Sequence, residues 1–313
     1  MKIYSDTVNI NNNTIRYVVT VGTFDGLHIG HMKIIDSVVR KAQSVNGQSV
    51  LVTFEPHPRL VLSKDYNIKL LTTFDEKRKL LQEAGIDNLI VINFTKQFSQ
   101  LSSEEFIYHY IVQKIGAQHM IIGYDHKFGK DRNGDVNKLK QLGEKWNFSV
   151  TSVPPAKING EIISSTLIRN ALNDGDIEKA NLFLGRAYSF SGTVVEGVKR
   201  GRTLGFPTAN IHLNNEMKLI PKRGVYFCSV KLMNENLYGL MNIGIRPTFE
   251  NKKELVIEVH ILNFNDDIYG QELEIDLIKR IRDEKKFESK EQLVNQIEND
   301  KKQALEYINV LIN

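Results

Sequence analysis

Short apolar runs without clean alternation recur through the first half of the chain, at residues 17–22, 49–54, 88–92, 119–123 and 149–153. That is the pattern of strands buried on both faces of a sheet. The stretches between them space their apolar residues for helices, as with Met32, Ile34, Ile35, Val38 and Val39. Thr73 with Glu76, and Ser102 with Glu105, stand at capping-box spacing for two helix starts. Strand–helix alternation of this kind predicts an α/β domain: a parallel sheet covered by helices, taking ligands outside the carboxyl ends of its strands.

Around residues 185–192 the pattern changes. Short strands at 188–195, 224–232, 237–243, 255–262 and 272–279 are separated by polar turn signals such as residues 234–236 and 265–267. They predict an antiparallel barrel or sandwich. A closing helix follows, with Ser289 and Gln292 at capping-box spacing and Val294, Ile297, Leu305 and Ile308 on its apolar face. No internal repeat or low-complexity linker intervenes, so two abutting domains are expected, residues 1–185 and 186–313.

Composition narrows the picture. At 313 residues the chain is comfortable for two domains, and 41% hydrophobic with 25% charged residues is the balance of a soluble globular protein. No apolar run approaches a bilayer-spanning length and no signal-peptide pattern opens the chain. The single cysteine, Cys228, excludes an intramolecular disulfide and a cysteine-rich metal site; its setting among Val225, Tyr226, Phe227 and Val230 is that of a buried strand thiol. A cytoplasmic location is expected. The net charge of +4 suits small phosphorylated ligands and makes no case for nucleic acid or membrane as partner, while the oligomeric state stays open.

The chemistry concentrates at strand ends. Residues 22–31 read Gly-Thr-Phe-Asp-Gly-Leu-His-Ile-Gly-His, between a strand and a helix. Gly22, Gly26 and Gly30 let the backbone turn and approach a ligand, His28 and His31 stand three apart, and a helix N-terminus offers unpaired N–H groups to an anion. The bland reading is a turn with incidental histidines. The segment resembles the HxGH signature of nucleotidyltransferases, and it also spells the HIGH tetrapeptide of class I aminoacyl-tRNA synthetases, without the KMSKS-like loop that should accompany it. Residues 163–169, Ile-Ser-Ser-Thr-Leu-Ile-Arg, give a second hydroxyl-rich helix start, where Ser164, Ser165 and Thr166 either cap the helix or join Arg169 in holding phosphate. The loop at 123–135 brings Asp125, Lys127 and Arg132 after the fourth strand, and His57 stands between Pro56 and Pro58 with no assigned role.

In the second half, Gly197, Gly201 and Gly205 alternate with Lys199, Arg200 and Arg202, a composition that can wrap phosphates. Thr208 and Asn210 supply hard oxygens of the kind Mg²⁺ accepts beside substrate phosphates. Along 255–262, Leu255, Ile257, Val259 and Ile261 share one strand face and Glu258 and His260 the other. That polar face is either solvated or holds a general base.

Taken together, GTFDGLHIGH (22–31), FEPHP (54–58), ISSTLIR (163–169), GVKRGRTLGFPTANI (197–211), NIGIRPTF (242–249) and IEVHILNF (257–264) resemble the bacterial bifunctional riboflavin kinase/FMN adenylyltransferases, in the same order and over nearly the whole chain. The resemblance implies a Rossmann-like nucleotidyltransferase domain followed by a flavokinase barrel. The barrel would phosphorylate riboflavin from Mg-ATP to FMN, with Mg²⁺ on Thr208 and Asn210, Gly201, Arg202 and Gly205 over the nucleotide, Glu258 as base and Arg246 at the flavin. The first domain would join FMN to AMP, giving FAD and pyrophosphate. There His28, His31 and Arg169 would act on the phosphates, Gly22, Phe24, Asp25, Gly30, Ser164, Ser165 and Thr166 would bind ATP, and Asp125 and Lys127 the flavin. One departure stands out: the family's fourth-strand loop reads close to DFRFG, whereas here it is Asp125-His126-Lys127-Phe128-Gly129, which keeps a charge but loses the bidentate fork of arginine. A kinase-only enzyme and a flavin-sensing protein are the alternatives.

Overall fold

The computed structural model describes residues 1–63, 68–130, 134–197, 201, 204–233, 235–247 and 253–312, of which 246, 247, 253, 254, 311 and 312 are described in their backbone alone. The chain forms two compact units, Met1–Ser165 and Thr166–Asn313.

In the first unit, strands β1 (Lys2–Ser5), β2 (Tyr17–Val21), β3 (Gln48–Glu55), β4 (Asn88–Asn93), β5 (Ala117–Gly123) and β6 (Ser149–Val153) form one parallel sheet in the order β1-β4-β3-β2-β5-β6. Successive residues of β2 and β3 feed opposite cores, which is why their sequences do not alternate. Val18, Leu51, Leu89 and Ile121 pack on one face with α1 (Ile29–Ser44) and α3 (Phe74–Glu83) through Ile35, Val38 and Leu81. Val19, Val21, Val50 and Val52 pack on the other with Phe106, Ile111 and the Leu139–Leu142 stretch of α5 (Val136–Trp146). Each such side chain, fully buried, contributes about 1.5–3 kcal/mol. The short helices α2 (Pro58–Leu62) and α4 (Ser103–Phe106) and a small hairpin, β7 (Lys157–Ile158) with β8 (Glu161–Ile162), complete the unit.

Both capping boxes read in the first half of the sequence form: Thr73 with Glu76 opens α3, and Ser102 with Glu105 opens α4, which continues as a π-helix over Ile107–Ile115. The chain runs from β2 outward through β3 and β4, then returns to β5 on the opposite side of β2. The strand order therefore reverses at the carboxyl end of β2, and a ligand crevice opens at such a switch point.

The second unit opens with α6 (Ser165–Asp174) and α7 (Ile177–Leu184). Strands β9 (Tyr188–Val195), β10 (Ala209–Leu213), β11 (Gly224–Leu232), β12 (Glu235–Pro247), β13 (Lys253–Ile261) and β14 (Glu272–Arg282) then close an antiparallel barrel in the order β10-β13-β12-β11-β14-β9. The sequence reading lacks β10, the strand that pairs with both β9 and β13 and so closes the barrel. Its five residues include Asn210 and His212, and strand propensity alone does not mark them. Asn181 on α7 ties that helix to the barrel, donating to the Leu277 carbonyl and accepting from the Tyr188 N–H. The last helix, α8 (Lys290–Ile312), buries Ala304 against the barrel with Tyr307 and Ile308 beside Phe227.

Candidate active sites

The loop after β2 sits at the switch point and is held under strain. Phe24 and Leu27 adopt positive φ of 47° and 40°, and Gly26 one of 91°. For side chains with a Cβ this region costs about 1–2 kcal/mol per residue. Tertiary contacts supply the compensation. The Asp25 carboxylate, buried, accepts from the N–H groups of Leu71 and Thr72 at 2.9 and 3.0 Å, and Gly26 N–H donates to the Thr72 hydroxyl at 3.0 Å. The structure thus spends this carboxylate on the shape of the loop.

His28 is the N-cap of α1, its Nδ1 accepting from the His31 N–H at 3.3 Å. A ring nitrogen that accepts carries no proton, so neutral His28 keeps its proton on Nε2 and presents a donor there. The His28 and His31 rings stack with centroids 3.7 Å apart, and the Phe24 ring meets His31 edge-on at 5.2 Å. Gly30 lies under His28: a Cβ there would stand 3.1 Å from its ring. The N–H groups of Ile29 and Gly30 have no partner among the described residues, so two orphan donors and a histidine pair share one helix end. The Phe24 ring also packs where a Gly22 side chain would stand. Ser165, at the start of α6, donates to the Asp25 carbonyl at 2.8 Å, which brings Ser164 and Ser165 to this loop, while Thr166 and Arg169 follow on α6. Lys127 is 3.7 Å from Asp135, and Asp125 is exposed in the same loop. His57 caps α2 by accepting from the Arg59 N–H, which gives it a structural task.

In the barrel, strand register assembles the second site. Asn210 on β10 and Asn242 on β12 both pair with Glu258 on β13, so three polar side chains stand in a row on one face of three adjacent strands. Asn242 and Glu258 belong to the wall of a cavity of about 440 Å³, lined also by Thr208, Gly201, His260, Phe287, Leu293 and Ile297. The polar face of β13 thus lines a cavity bounded by the segment leading into α8 and by α8 itself. Thr208, Asn210 and Asn242 make no side-chain hydrogen bond among the described residues, which leaves their oxygens to a ligand. His260 Nδ1 lies 2.8 Å from the Pro207 carbonyl and its ring meets Phe206 edge-on, fixing the backbone just before Thr208. Burial pushes the His260 imidazole below its usual range, the Pro207 contact opposing this in part.

The cavity floor is tied down by Arg282 on β14, whose Nε reaches both Asp300 carboxylate oxygens at 3.0 and 2.9 Å. Asp300 is buried, and breaking such a pair costs about 3–5 kcal/mol. Asn242, Arg282 and Asp300 escaped the sequence reading. Asn242 opens the quoted NIGIRPTF segment, but only the register places it beside Glu258.

Gly197 packs directly on the Asn210 amide, and a Cβ would overlap it. Gly197→Ala is therefore expected to displace Asn210 and lower FMN formation about tenfold, measured by chromatography with riboflavin and ATP. An unchanged rate would remove Asn210 from the site. Gly205 holds a φ of +83°, and Gly201 approaches the Phe206 carbonyl too closely for a side chain. Arg132, Lys199, Arg200 and Arg202 lie outside the described residues, and Arg246 is described only as backbone in β12.

Comparison with known proteins matches this division. Residues 10–167 fit the family model described as FAD synthetase, and residues 184–308 the one described as riboflavin kinase. The bifunctional riboflavin kinase/FMN adenylyltransferase of Buchnera aphidicola subsp. Acyrthosiphon pisum is 39% identical over 312 residues, 99% of each chain. The proteins of the same description from Bacillus subtilis and Escherichia coli K12 are 38% identical across 96% of both chains and 35% identical across 93% of this chain and 92% of that one. A solved structure described as a macrolide-efflux protein from Streptococcus pneumoniae superposes with a TM-score of 0.88 at 31% identity, over 96% of this chain and 98% of that one. Efflux is said of that protein; among the described residues here, no helix is long and apolar enough to cross a membrane.

Proposed function

The chain belongs to the bifunctional riboflavin kinase/FMN adenylyltransferase family, and on that premise we propose how its two sites divide the work. Riboflavin, FMN and FAD are its substrates and products and ATP its co-substrate. Adenylyl transfer is assigned to residues 1–185 and phosphoryl transfer to residues 186–313.

In adenylyl transfer an FMN phosphate oxygen attacks the α-phosphorus of ATP, one P–O bond forms, and the bond to pyrophosphate breaks. The nucleophile is already anionic, so no base is required. The task is to stabilise charge on the reacting phosphorus and the leaving group. The His28 Nε2–H, His31 and the open N–H groups of Ile29 and Gly30 serve the phosphates, with Gly22, Phe24 and Asp25 shaping the ATP cradle. Ser164, Ser165, Thr166 and Arg169 serve the pyrophosphate end, and Asp125 and Lys127 the flavin.

In phosphoryl transfer Glu258 orients the ribityl 5′-hydroxyl and takes its proton as the γ-phosphoryl group moves from ATP to that oxygen. Such transfer depends on positioning and charge neutralisation. Thr208 and Asn210 fit Mg²⁺ as hard oxygen donors not spent on the protein, beside one carboxylate. That is the sparse protein set this ion accepts when substrate phosphates and water complete its shell. Bound there, Mg²⁺ would neutralise nucleotide charge. Gly201, Arg202 and Gly205 are assigned to the nucleotide and Arg246 to the flavin.

The row of Asn210, Glu258 and Asn242 across three adjacent strands, with Glu258 and Asn242 lining one cavity, is the observation that carries the kinase assignment, as the His28–His31 pair at the switch point carries the other. The test is a chromatographic time course with riboflavin, ATP and Mg²⁺. FMN is expected first and FAD later. FMN accumulating without FAD would make the chain a kinase alone and implicate the loop in which Lys127 replaces the family's arginine.

A further inference from the structure

Lys77 is a lysine buried in the first unit, and adenylyl transfer as derived above does not use it. It lies on α3 with 5% of its surface exposed, and its ammonium donates to the Thr23 carbonyl at 2.8 Å and to the Thr53 hydroxyl at 3.4 Å. The Thr53 hydroxyl stands 3.4 Å from the same carbonyl. Thr23 immediately precedes the strained turn of Phe24, Gly26 and Leu27.

On the reading that residues 22–31 form the adenylyl-transfer loop, we infer that Lys77 is a positioning residue for that reaction, fixing through the Thr23 carbonyl the turn that sets Phe24 against His31. Residues 71–77 supply three restraints on the turn, beside the Ser165 and Thr53 hydroxyls on the Asp25 and Thr23 carbonyls: the Leu71 and Thr72 N–H groups on Asp25, the Thr72 hydroxyl on Gly26, and the Lys77 amine on Thr23. The first two are neutral donors or acceptors supplied along the backbone path. The third places an ionisable amine in the interior, where desolvation disfavours the charged form. Burial pushes the Lys77 pKa down, while Asp25 and Glu55 oppose the shift. Glu55 in turn is pushed up by its own burial and held back by Lys77.

An amine-to-carbonyl bond in the interior is strengthened by the low local dielectric, so it holds a strained peptide plane more tightly than a packed apolar side chain would. From that plane the path to chemistry is short. Phe24 follows Thr23, and its ring edge meets the His31 imidazole at 5.2 Å. A carbonyl released to rotate would let the ring and the imidazole drift, and a misplacement of about 1 Å can cost on the order of 100-fold in rate.

The test is Lys77→Met, which keeps chain length and removes both charge and donor. The full-length variant is assayed for FAD formation from supplied FMN and for FMN formation from riboflavin. The kcat for FAD formation is expected to fall about 10- to 100-fold, with KM for ATP changed less than about threefold and FMN formation unchanged. A kcat within about twofold of the parent overturns the inference. So does a loss that disappears when the temperature is lowered and tracks the melting of the first unit by circular dichroism, because that is a purely structural role. If Lys77→Met does not fold, Thr53→Val keeps the volume and removes the second contact to the Thr23 carbonyl. Its expected result is a fall in the same kcat of about threefold or more, and an unchanged kcat overturns the inference. FAD formation that survives His31→Ala would withdraw the site reading itself, whereas an inactive His31→Ala beside an unimpaired Lys77→Met removes only the role of Lys77.

Discussion

Alanine at His28 or at His31 will lower FAD formation from FMN and ATP by about 100- to 1,000-fold and leave riboflavin phosphorylation intact. The size follows from removing one preorganised donor to a phosphorus centre that gains charge, on the order of 3 kcal/mol. The two variants differ in their structural cost. His28 also caps α1, so His28→Ala loses an N-cap worth about 1 kcal/mol, whereas His31→Ala loses the ring contacts with Phe24 and His28 and leaves that cap in place. Catalytic losses of similar size with a lower melting temperature for His28→Ala alone would separate chemistry from folding. FMN formation in the same tube is the internal control, and its loss in either variant, with folding preserved, would sink the two-site assignment.

The mirror experiment is Glu258→Gln. Removing a general base of this kind typically costs 100- to 10,000-fold, and FMN formation is expected to fall within that range while FAD formation from supplied FMN continues. Glutamine preserves shape and sits in register between Asn210 and Asn242 without adding charge, so the cavity wall should stay in place. Retained binding of riboflavin, followed by quenching of its fluorescence, would confirm that the chemistry and not the pocket is lost. Kinase activity within tenfold of the parent would mean that the hydroxyl needs no base here, and that orientation alone carries the step.

The parts of the fold that the sequence announced are those in which burial dictates composition. β2, β3 and β4 fall within a residue or two of their apolar runs, because strands covered on both faces admit little else. The capping boxes at Thr73 and Ser102 were equally legible, being local chemistry. β10 was not, since its role comes from pairing with strands on both sides rather than from its own residues. The same distinction runs through the sites. His28, His31, Thr208, Asn210 and Glu258 stand in motifs whose residue types state their chemistry. Asn242 gains its meaning only from register, Asp300 only from the arginine that reaches it, and Lys77 only from a carbonyl 54 positions away in sequence.

The barrel closes by pairing β9 with both β10 and β14, and β10 is also the strand that sets Asn210 beside Glu258. The β11–β12 hairpin can zip locally, but the β9–β14 ladder joins residues as distant as Thr193 and Glu272. Loop-closure entropy makes such a pairing late and slow. The pocket assigned to phosphoryl transfer is therefore complete only when the barrel is closed, and a half-closed barrel has no site to offer. Any ligand that fills the pocket acts on the closing step itself, raising stability by RT ln(1 + [L]/Kd). Nucleotide and flavin supply would then govern how long this half of the enzyme survives as well as how fast it turns over.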